Sequence, residues 1–308
     1  MLSRKNKLLL LKIASLFSVV RGYNIPIIVL AQYLSAIFIL APEKSALEII
    51  LDLNLFLIVL ASSLTIASGY IINNFYDSKK DMINRPNKSM LDRLVSQKTK
   101  LYVYFSLNFI VVFIAFFVSW RAVIFFSSYI FLIWFYSHKV KKYPIIGNLM
   151  SAFMAILPFF AILMYFKNFY SVIFAHATFL YLLLVVREMV KDLENIPGDL
   201  VNNYRTIPVI FGENVSKQLI TVICTATAIP VYWLIDIYEV GYMDIYFYFC
   251  LVSQVFFLLY LWKADTKAQF TKLHNILKFV IVSGVFCIVL INPAVLVHGR
   301  NYLMMVHF

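Results

Sequence analysis

Charge is scarce in this chain, and negative charge is scarcest. Only 14% of its 308 residues are charged, with 15 Asp and Glu against 27 Lys and Arg. A soluble domain carries about 25% charged residues, so an ordinary soluble enzyme is excluded. The 62% hydrophobic content excludes disorder. Cysteine is nearly absent. Cys224, Cys250 and Cys287 each sit in an apolar run and form no C-x-x-C pair, which excludes a disulfide framework and a thiolate metal site and leaves packing roles. With eight glycines there is no glycine-rich phosphate loop. The five histidines are scattered. His138 lies near one membrane face and reads as an interface residue, and no Ser–His–Asp arrangement is present.

What the chain has in quantity is long apolar runs. About 20 apolar residues cross a bilayer as a helix, and runs without a two-residue alternation exclude a barrel. Nine spans are expected, at 14–41, 49–76, 101–119, 122–138, 145–166, 169–190, 216–236, 242–262 and 276–297. The fold class is therefore all-α, a polytopic membrane bundle forming a single domain over 1–308. The long first apolar run, with no small-residue cleavage site, reads as a first span rather than a signal peptide. With the N-terminus inside, the basic clusters Arg4–Lys12, Lys79–Lys100, Lys139–Lys142, Arg187–Lys217 and Lys263–Lys278 all face the cytoplasm. Only Lys44, Arg121, Lys167 and Arg300 fall outside. This bias sets the orientation and absorbs most of the +12 net charge, so no nucleic-acid partner is called for. Two long polar loops, 77–100 and 191–215, are expected on the cytoplasmic face, where function is usually placed.

The second span runs into Asn73-Asn74-Phe75-Tyr76-Asp77-Ser78-Lys79-Lys80-Asp81, followed by Asn84-Arg85-Pro86. If the helix continues, Asn73, Asp77 and Asp81 share one face. The sixth span runs into Arg187-Glu188-Met189-Val190-Lys191-Asp192-Leu193-Glu194-Asn195-Ile196-Pro197-Gly198-Asp199. There Glu188, Asp192, Asn195 and Asp199 follow helical spacing, although Pro197-Gly198 is expected to stop the helix before Asp199. Aligned carboxylates repel one another, so two such stripes at the same membrane face need a counter-charge. Oxygen donors without His or thiolate suit a hard cation such as Mg²⁺. Mg²⁺ favours a few carboxylates plus phosphate oxygens, and the interleaved Lys79, Lys80, Arg85, Lys88, Lys191 and Arg205 suit a polyanion. The stripes read as a Mg²⁺–diphosphate site, and a lipid-tailed diphosphate explains its place in a membrane.

Asn73-Asn74-x-x-Asp77-x-x-x-Asp81…Asn84-Arg85-Pro86 resembles the first aspartate-rich motif of the UbiA superfamily of intramembrane prenyltransferases. Arg187 to Asp199, with Thr206-Ile207-Pro208 beyond, resembles the second. Tyr136-Ser137-x-x-x-Lys141-Lys142-x-Pro144-x-x-Gly147-Asn148 and Arg21-x-x-Asn24 are similar to two further family segments. The resemblance implies an enzyme that, with two Mg²⁺ ions, transfers a polyprenyl group from a prenyl diphosphate donor to a lipophilic acceptor at the cytoplasmic face. It implies metal ligation by Asn73, Asp77, Asp81, Asp192, Asn195 and Asp199, the four aspartates being catalytic. It further implies diphosphate binding by Arg85, Lys88, Lys141 and Lys191, and acceptor contact by Arg21 and Asn24. Three positions depart from the family pattern. Asn74 and Asn195 stand where Asp is common, each keeping an oxygen but removing a charge, and Asp92 stands where a small residue is usual.

The form of the second motif most resembles the branch making digeranylgeranylglyceryl phosphate, in which a hydroxyl of geranylgeranylglyceryl phosphate is prenylated. An aromatic acceptor, as in quinone synthesis, is the alternative within the family. A cation-coupled secondary transporter is the alternative of another class, but its ion sites lie near the bilayer midplane, whereas these carboxylates lie at helix ends.

Overall fold

The computed structural model describes residues 4–292, which are all-helical with no strand among them. The chain runs through α1 (Arg4–Val19), α2 (Ile25–Ser35), α3 (Ala46–Leu51), α4 (Leu53–Asn84), α5 (Pro86–Asp92), α6 (Gln97–Val118) and α7 (Trp120–His138). It continues through α8 (Ile146–Phe166), α9 (Ser171–Val201), α10 (Ile207–Ala226), α11 (Ala228–Tyr232), α12 (Asp244–Lys263) and α13 (Lys267–Cys287). Among the described residues, eight helical stretches are long and apolar enough to cross a membrane. The shorter Ile25–Leu40 makes up the rest of the nine-span expectation. The chain is an integral membrane protein.

The expected first span, 14–41, is broken. Helix α1 stops at Val19, Arg21 takes a left-handed backbone with φ of 49°, and α2 restarts with Pro26 in its first turn. A positive φ is uncommon for a residue with a side chain, and a proline, which lacks an N–H, is best tolerated in the first turn of a new helix. Arg21 therefore sits in the break rather than inside a helix. The last expected span, 276–297, starts earlier, at Lys267, and its end lies outside the described residues, as do Arg300, His298 and His307.

Two apolar cores form, one centred on α4, α6, α7 and α8, the other on α9, α10, α12 and α13. Large apolar side chains such as Phe109, Phe116 and Phe256 stay exposed on the outside, as expected where lipid replaces water. In lipid every backbone polar group must find a partner within the protein, and the helix-interior prolines test this. Pro158 in α8 lacks the N–H that would bond the carbonyl of Met154. The Tyr129 hydroxyl donates to that carbonyl instead, at 2.9 Å.

The second test concerns the site. Pro197-Gly198 does not end the sixth span, contrary to expectation: α9 runs on to Val201. The Asn84 side chain, at the end of α4, enters the break. Its amide donates to the Asn195 carbonyl at 3.3 Å and its oxygen accepts the Gly198 N–H at 3.1 Å. Neither expected polar segment is a long loop, since α4 carries the first to Asn84, α5 resumes at Pro86, and only 202–206 separate α9 from α10. The ends of α4 and α9 are thus clamped together. A Cβ at position 198 would overlap the Asn84 amide. Gly198→Ala is therefore expected to expel Asn84 and cost about 1–3 kcal/mol, read as a lowered Tm of the detergent-solubilised protein. An unchanged Tm would contradict the clamp.

Candidate functional site

The clamp brings both aspartate stripes to one small polar cleft of about 60 Å³. From α4 it receives Asn73, Asp77, Lys80 and Asp81; from α9, Glu188, Lys191, Asp192 and Asn195. Arg21, Arg85, Tyr136, Lys141, Asn148 and Tyr204 complete most of the wall. Because α4 continues unbroken beyond the apolar part of its span, Asn73, Asp77 and Asp81 do share a face.

Cations hold the carboxylates. Lys141, between α7 and α8, donates to Asp77 at 2.6 Å and to Asn73 at 3.1 Å. Lys80 pairs with the fully buried Asp199. Lys191 pairs with Glu188 at 2.7 Å, and Arg85 approaches Glu194 at 3.6 Å. Asp192 accepts from the Asn148 amide at 2.7 Å, and Asp77 also accepts from the Tyr204 hydroxyl at 2.9 Å. Burial and the Asp77 charge push the Tyr204 phenol above its ordinary pKa, so it stays a donor. Asp81 lines the cleft without a side-chain ion pair or hydrogen bond among the described residues. Thus Asp77, Asp81 and Asp192, with Asn73, offer oxygen donors to one space.

Not every expected ligand faces that space. Asp199 lies behind Lys80 and is also held by the Thr206 hydroxyl at 3.3 Å. Asn195 does line the cleft; its side-chain NH2 donates to the carbonyl of Lys191 in its own helix at 2.6 Å, which leaves its side-chain oxygen as the candidate ligand. Of the expected diphosphate contacts, Arg85, Lys141 and Lys191 line the cleft. Lys88 instead lines a neighbouring cavity with Asn24. Burial and the nearby Arg21 charge lower the Lys88 pKa. Lys80, expected as one of the cations for a polyanion, lines the cleft, whereas Asn148 and Tyr204 belong to it without having been expected there. Asn148 lies in a recognised motif, but its partner is 44 residues away.

The departures at 74 and 92 have a shared explanation. Asn74 points away from the cleft: its amide donates to Asp92 at 2.9 Å and its oxygen accepts from the nearly buried Lys100 at 2.8 Å. Ser18 of α1 donates to the other Asp92 oxygen at 2.9 Å. Asn74 is thus the centre of a buried polar network that docks α1 and α5, and its lack of charge removes no ligand from the cleft.

Beside the cleft lies a mostly apolar cavity of about 560 Å³, bounded by α2, α8, α9 and α13. Arg21, Arg85 and Lys191 line both spaces, which therefore share a border. Among the described residues no group of three or more His, Cys, Asp or Glu is placed to hold a metal by itself. The donor set still fits Mg²⁺, because its oxygens converge with anion-binding cations, and phosphate oxygens complete such a shell.

An oxygen-rich, lysine-laced cleft beside an apolar cavity has the chemistry to take a divalent cation together with a lipid-tailed polyanion. The UbiA prenyltransferase family model matches residues 28–282, and the chain belongs to that family. It is 32% identical over 174 residues to the digeranylgeranylglyceryl phosphate synthase of Thermococcus sibiricus, covering 56% of this chain and 62% of that protein. It is 26% identical to the synthase of that name from Methanobrevibacter smithii, covering 73% of this chain and 80% of that one. The chain thus spans less than two thirds of the first of these relatives. A solved digeranylgeranylglyceryl phosphate synthase structure superposes with a TM-score of 0.69 at 19% identity, covering 91% of this chain and 98% of that one. A UbiA homologue from Archaeoglobus fulgidus bound to GPP and Mg²⁺ gives 0.66 at 13% identity, over 89% and 99%. These likenesses establish the shared fold.

Removing Lys141 leaves Asp77 buried without an ion-pair partner, held by the Tyr204 hydroxyl alone. Lys141→Met is expected to cost about 3–5 kcal/mol, with part of the lost Tm recovered in Mg²⁺ because a divalent cation then occupies the ammonium's place. A Tm fall that Mg²⁺ leaves untouched would contradict metal binding at Asp77.

Proposed function

We propose that this protein is a Mg²⁺-dependent prenyltransferase that moves a polyprenyl group from a prenyl diphosphate to a hydroxyl of a lipid glyceryl phosphate, best geranylgeranylglyceryl phosphate. The observation that carries this reading is the meeting of both aspartate stripes on one cleft that borders an apolar cavity. The names of the similar synthases support the acceptor, and the basic bias of the loops supports a cytoplasmic face for the site.

Charge balance explains why metal and diphosphate belong together. The cleft is lined by the acids Asp77, Asp81, Glu188 and Asp192, and by the bases Arg21, Lys80, Arg85, Lys141 and Lys191. These charges nearly cancel. A bare dication or a bare diphosphate would leave uncompensated charge in a poorly solvated place, which is costly. A Mg²⁺–diphosphate cluster approaches neutrality and fits without that cost. Asn73, Asp77, Asp81 and Asp192 would hold two Mg²⁺ ions, with Asp199 acting through Lys80. When bound, Mg²⁺ supplies charge neutralisation to the departing diphosphate.

The chain's own residues do the rest. Arg85, Lys141 and Lys191 bind the diphosphate oxygens and stabilise the charge that grows there as the carbon–oxygen bond breaks. The electron pair leaves with diphosphate. The acceptor hydroxyl oxygen bonds to the allylic carbon and gives up its proton to the released diphosphate. Tyr204 and Asn148 hold the Asp77 and Asp192 carboxylates in place. The apolar cavity takes hydrocarbon and keeps water from the cation, which would otherwise be hydrolysed.

The test is the product mass after incubation with Mg²⁺, geranylgeranyl diphosphate and two competing acceptors, geranylgeranylglyceryl phosphate and 4-hydroxybenzoate. The doubly prenylated glyceryl phosphate is expected; a prenylated benzoate, or no transfer, would overturn the acceptor or the activity. Asp77→Ala and Asp192→Ala should each lower turnover by about 10³-fold or more, a loss of the size seen when a key electrostatic stabiliser is removed. Near-normal activity in either would contradict the ligand assignment.

A further inference from the structure

The cations around the two spaces are not all used. Glu194 is held by Arg85 and by His274, at 3.6 and 3.3 Å. Lys191 is held by Glu188, and Lys88 lies 4.0 Å from Asp92. Three cations remain. Among the described residues no carboxylate lies within ion-pair distance of Arg21, Arg187 or Lys278. They come from three separate elements: the break after α1, the middle of α9 and the middle of α13. All three line the large apolar cavity. They are near enough that Arg187 and Arg21 act electrostatically on Lys278.

Like charges gathered at an apolar cavity are unfavourable without an anion between them. Two of the cations rest on aromatic faces, Arg21 over Tyr70 at 5.0 Å and Lys278 over Tyr23 at 5.4 Å, which is modest compensation. The Arg187 Nε is buried and has no hydrogen-bond partner, a state that costs free energy unless a ligand relieves it. Arg187 and Lys278 do not line the polar cleft, where the donor's diphosphate is placed.

We infer that Arg187 and Lys278, with Arg21 at the border, form a second anion site that binds the phosphate monoester of the acceptor. This deepens the reading above and rests on it for the acceptor's role. A phosphate monoester carries about −1.5 to −2 charges at neutral pH, which three cations balance. Its oxygens match the fork of Arg187. The acceptor's hydrocarbon then lies along Phe160, Leu180, Leu184 and Ile281, which line the same cavity. Its glycerol hydroxyl, a few bonds from the phosphate, falls at the border with the cleft, where the allylic carbon is delivered. The site selects a phosphorylated acceptor over its alcohol and keeps the two anions of the reaction apart.

The test separates acceptor from donor and binding from turnover. With the full-length protein in detergent and excess EDTA, phosphatidic acid should raise Tm more than diacylglycerol of the same chains. The variants Arg187→Gln and Lys278→Gln, singly and together, should erase that difference. In the Mg²⁺-loaded assay they should raise the KM for geranylgeranylglyceryl phosphate by about tenfold or more, the loss expected for a charged hydrogen bond. The KM for the prenyl diphosphate should stay within about twofold. Equal stabilisation of wild type and variants by phosphatidic acid, or a rise in donor KM in place of acceptor KM, would overturn the inference. If the wild type fails to prenylate the glyceryl phosphate, the functional reading falls, and the binding comparison in EDTA still decides whether the anion site exists.

Discussion

The structure depends on keeping acidic side chains at the buried meeting point of two membrane helices. An isolated buried carboxylate is among the most expensive groups a protein can hold. Here all but Asp81 are answered individually: Asp77 by Lys141 and Tyr204, Asp199 by Lys80, Asp192 by Asn148, and Glu188 by Lys191. These partners arrive from α4 itself, from the connection between α7 and α8, and from the start of α8. Others come from within α9 and from the turn before α10. The cleft is thus the place where much of the bundle's polar chemistry is spent. Buried ion pairs of this kind are a weak source of stability and a strong source of specificity of place, which is what a site needs.

The same need explains the departures from helical regularity. Helix α9 carries its stripe past Pro197 with Asn84 bonded to the Asn195 carbonyl and the Gly198 N–H on either side of the proline. The Arg21 backbone is left-handed because the chain must turn between α1 and α2 while presenting a guanidinium to both the cleft and the apolar cavity. The network of Asn74, Asp92, Lys100 and Ser18 fixes α5 behind Arg85 and Lys88. Strain and polar burial concentrate around the site, while the lipid-facing helices α6, α7 and α12 are regular and apolar.

Much of this was legible in the sequence, for reasons that can be named. Apolar runs of bilayer length report spans because lipid imposes both length and composition. The four-residue spacing of Asn73, Asp77 and Asp81 reports one helical face because it is a local property. The rest was hidden by distance along the chain. Pro197-Gly198 reads as a stop because the residue that rescues it, Asn84, is 111 to 114 residues earlier. Asn74 reads as a weakened ligand because its partners Asp92 and Lys100 lie 18 and 26 residues on. Asp199 and Lys80 both read as site groups, but only packing reveals that they face each other. The break at Arg21 was obscured because the apolar residues on both sides of Arg21-Gly22-Tyr23-Asn24 read together as one span.

The central claim is that the cleft's charges are arranged for a divalent cation and a diphosphate together. It is tested most directly by titrating the purified protein with Mn²⁺, followed by electron paramagnetic resonance, with and without a non-reactive prenyl thiodiphosphate. The account predicts weak Mn²⁺ binding alone, much tighter binding with the thiodiphosphate, and loss of that gain in Asp77→Asn and in Asp192→Asn. Mn²⁺ binding that is indifferent to the thiodiphosphate, or that survives both substitutions, would contradict it.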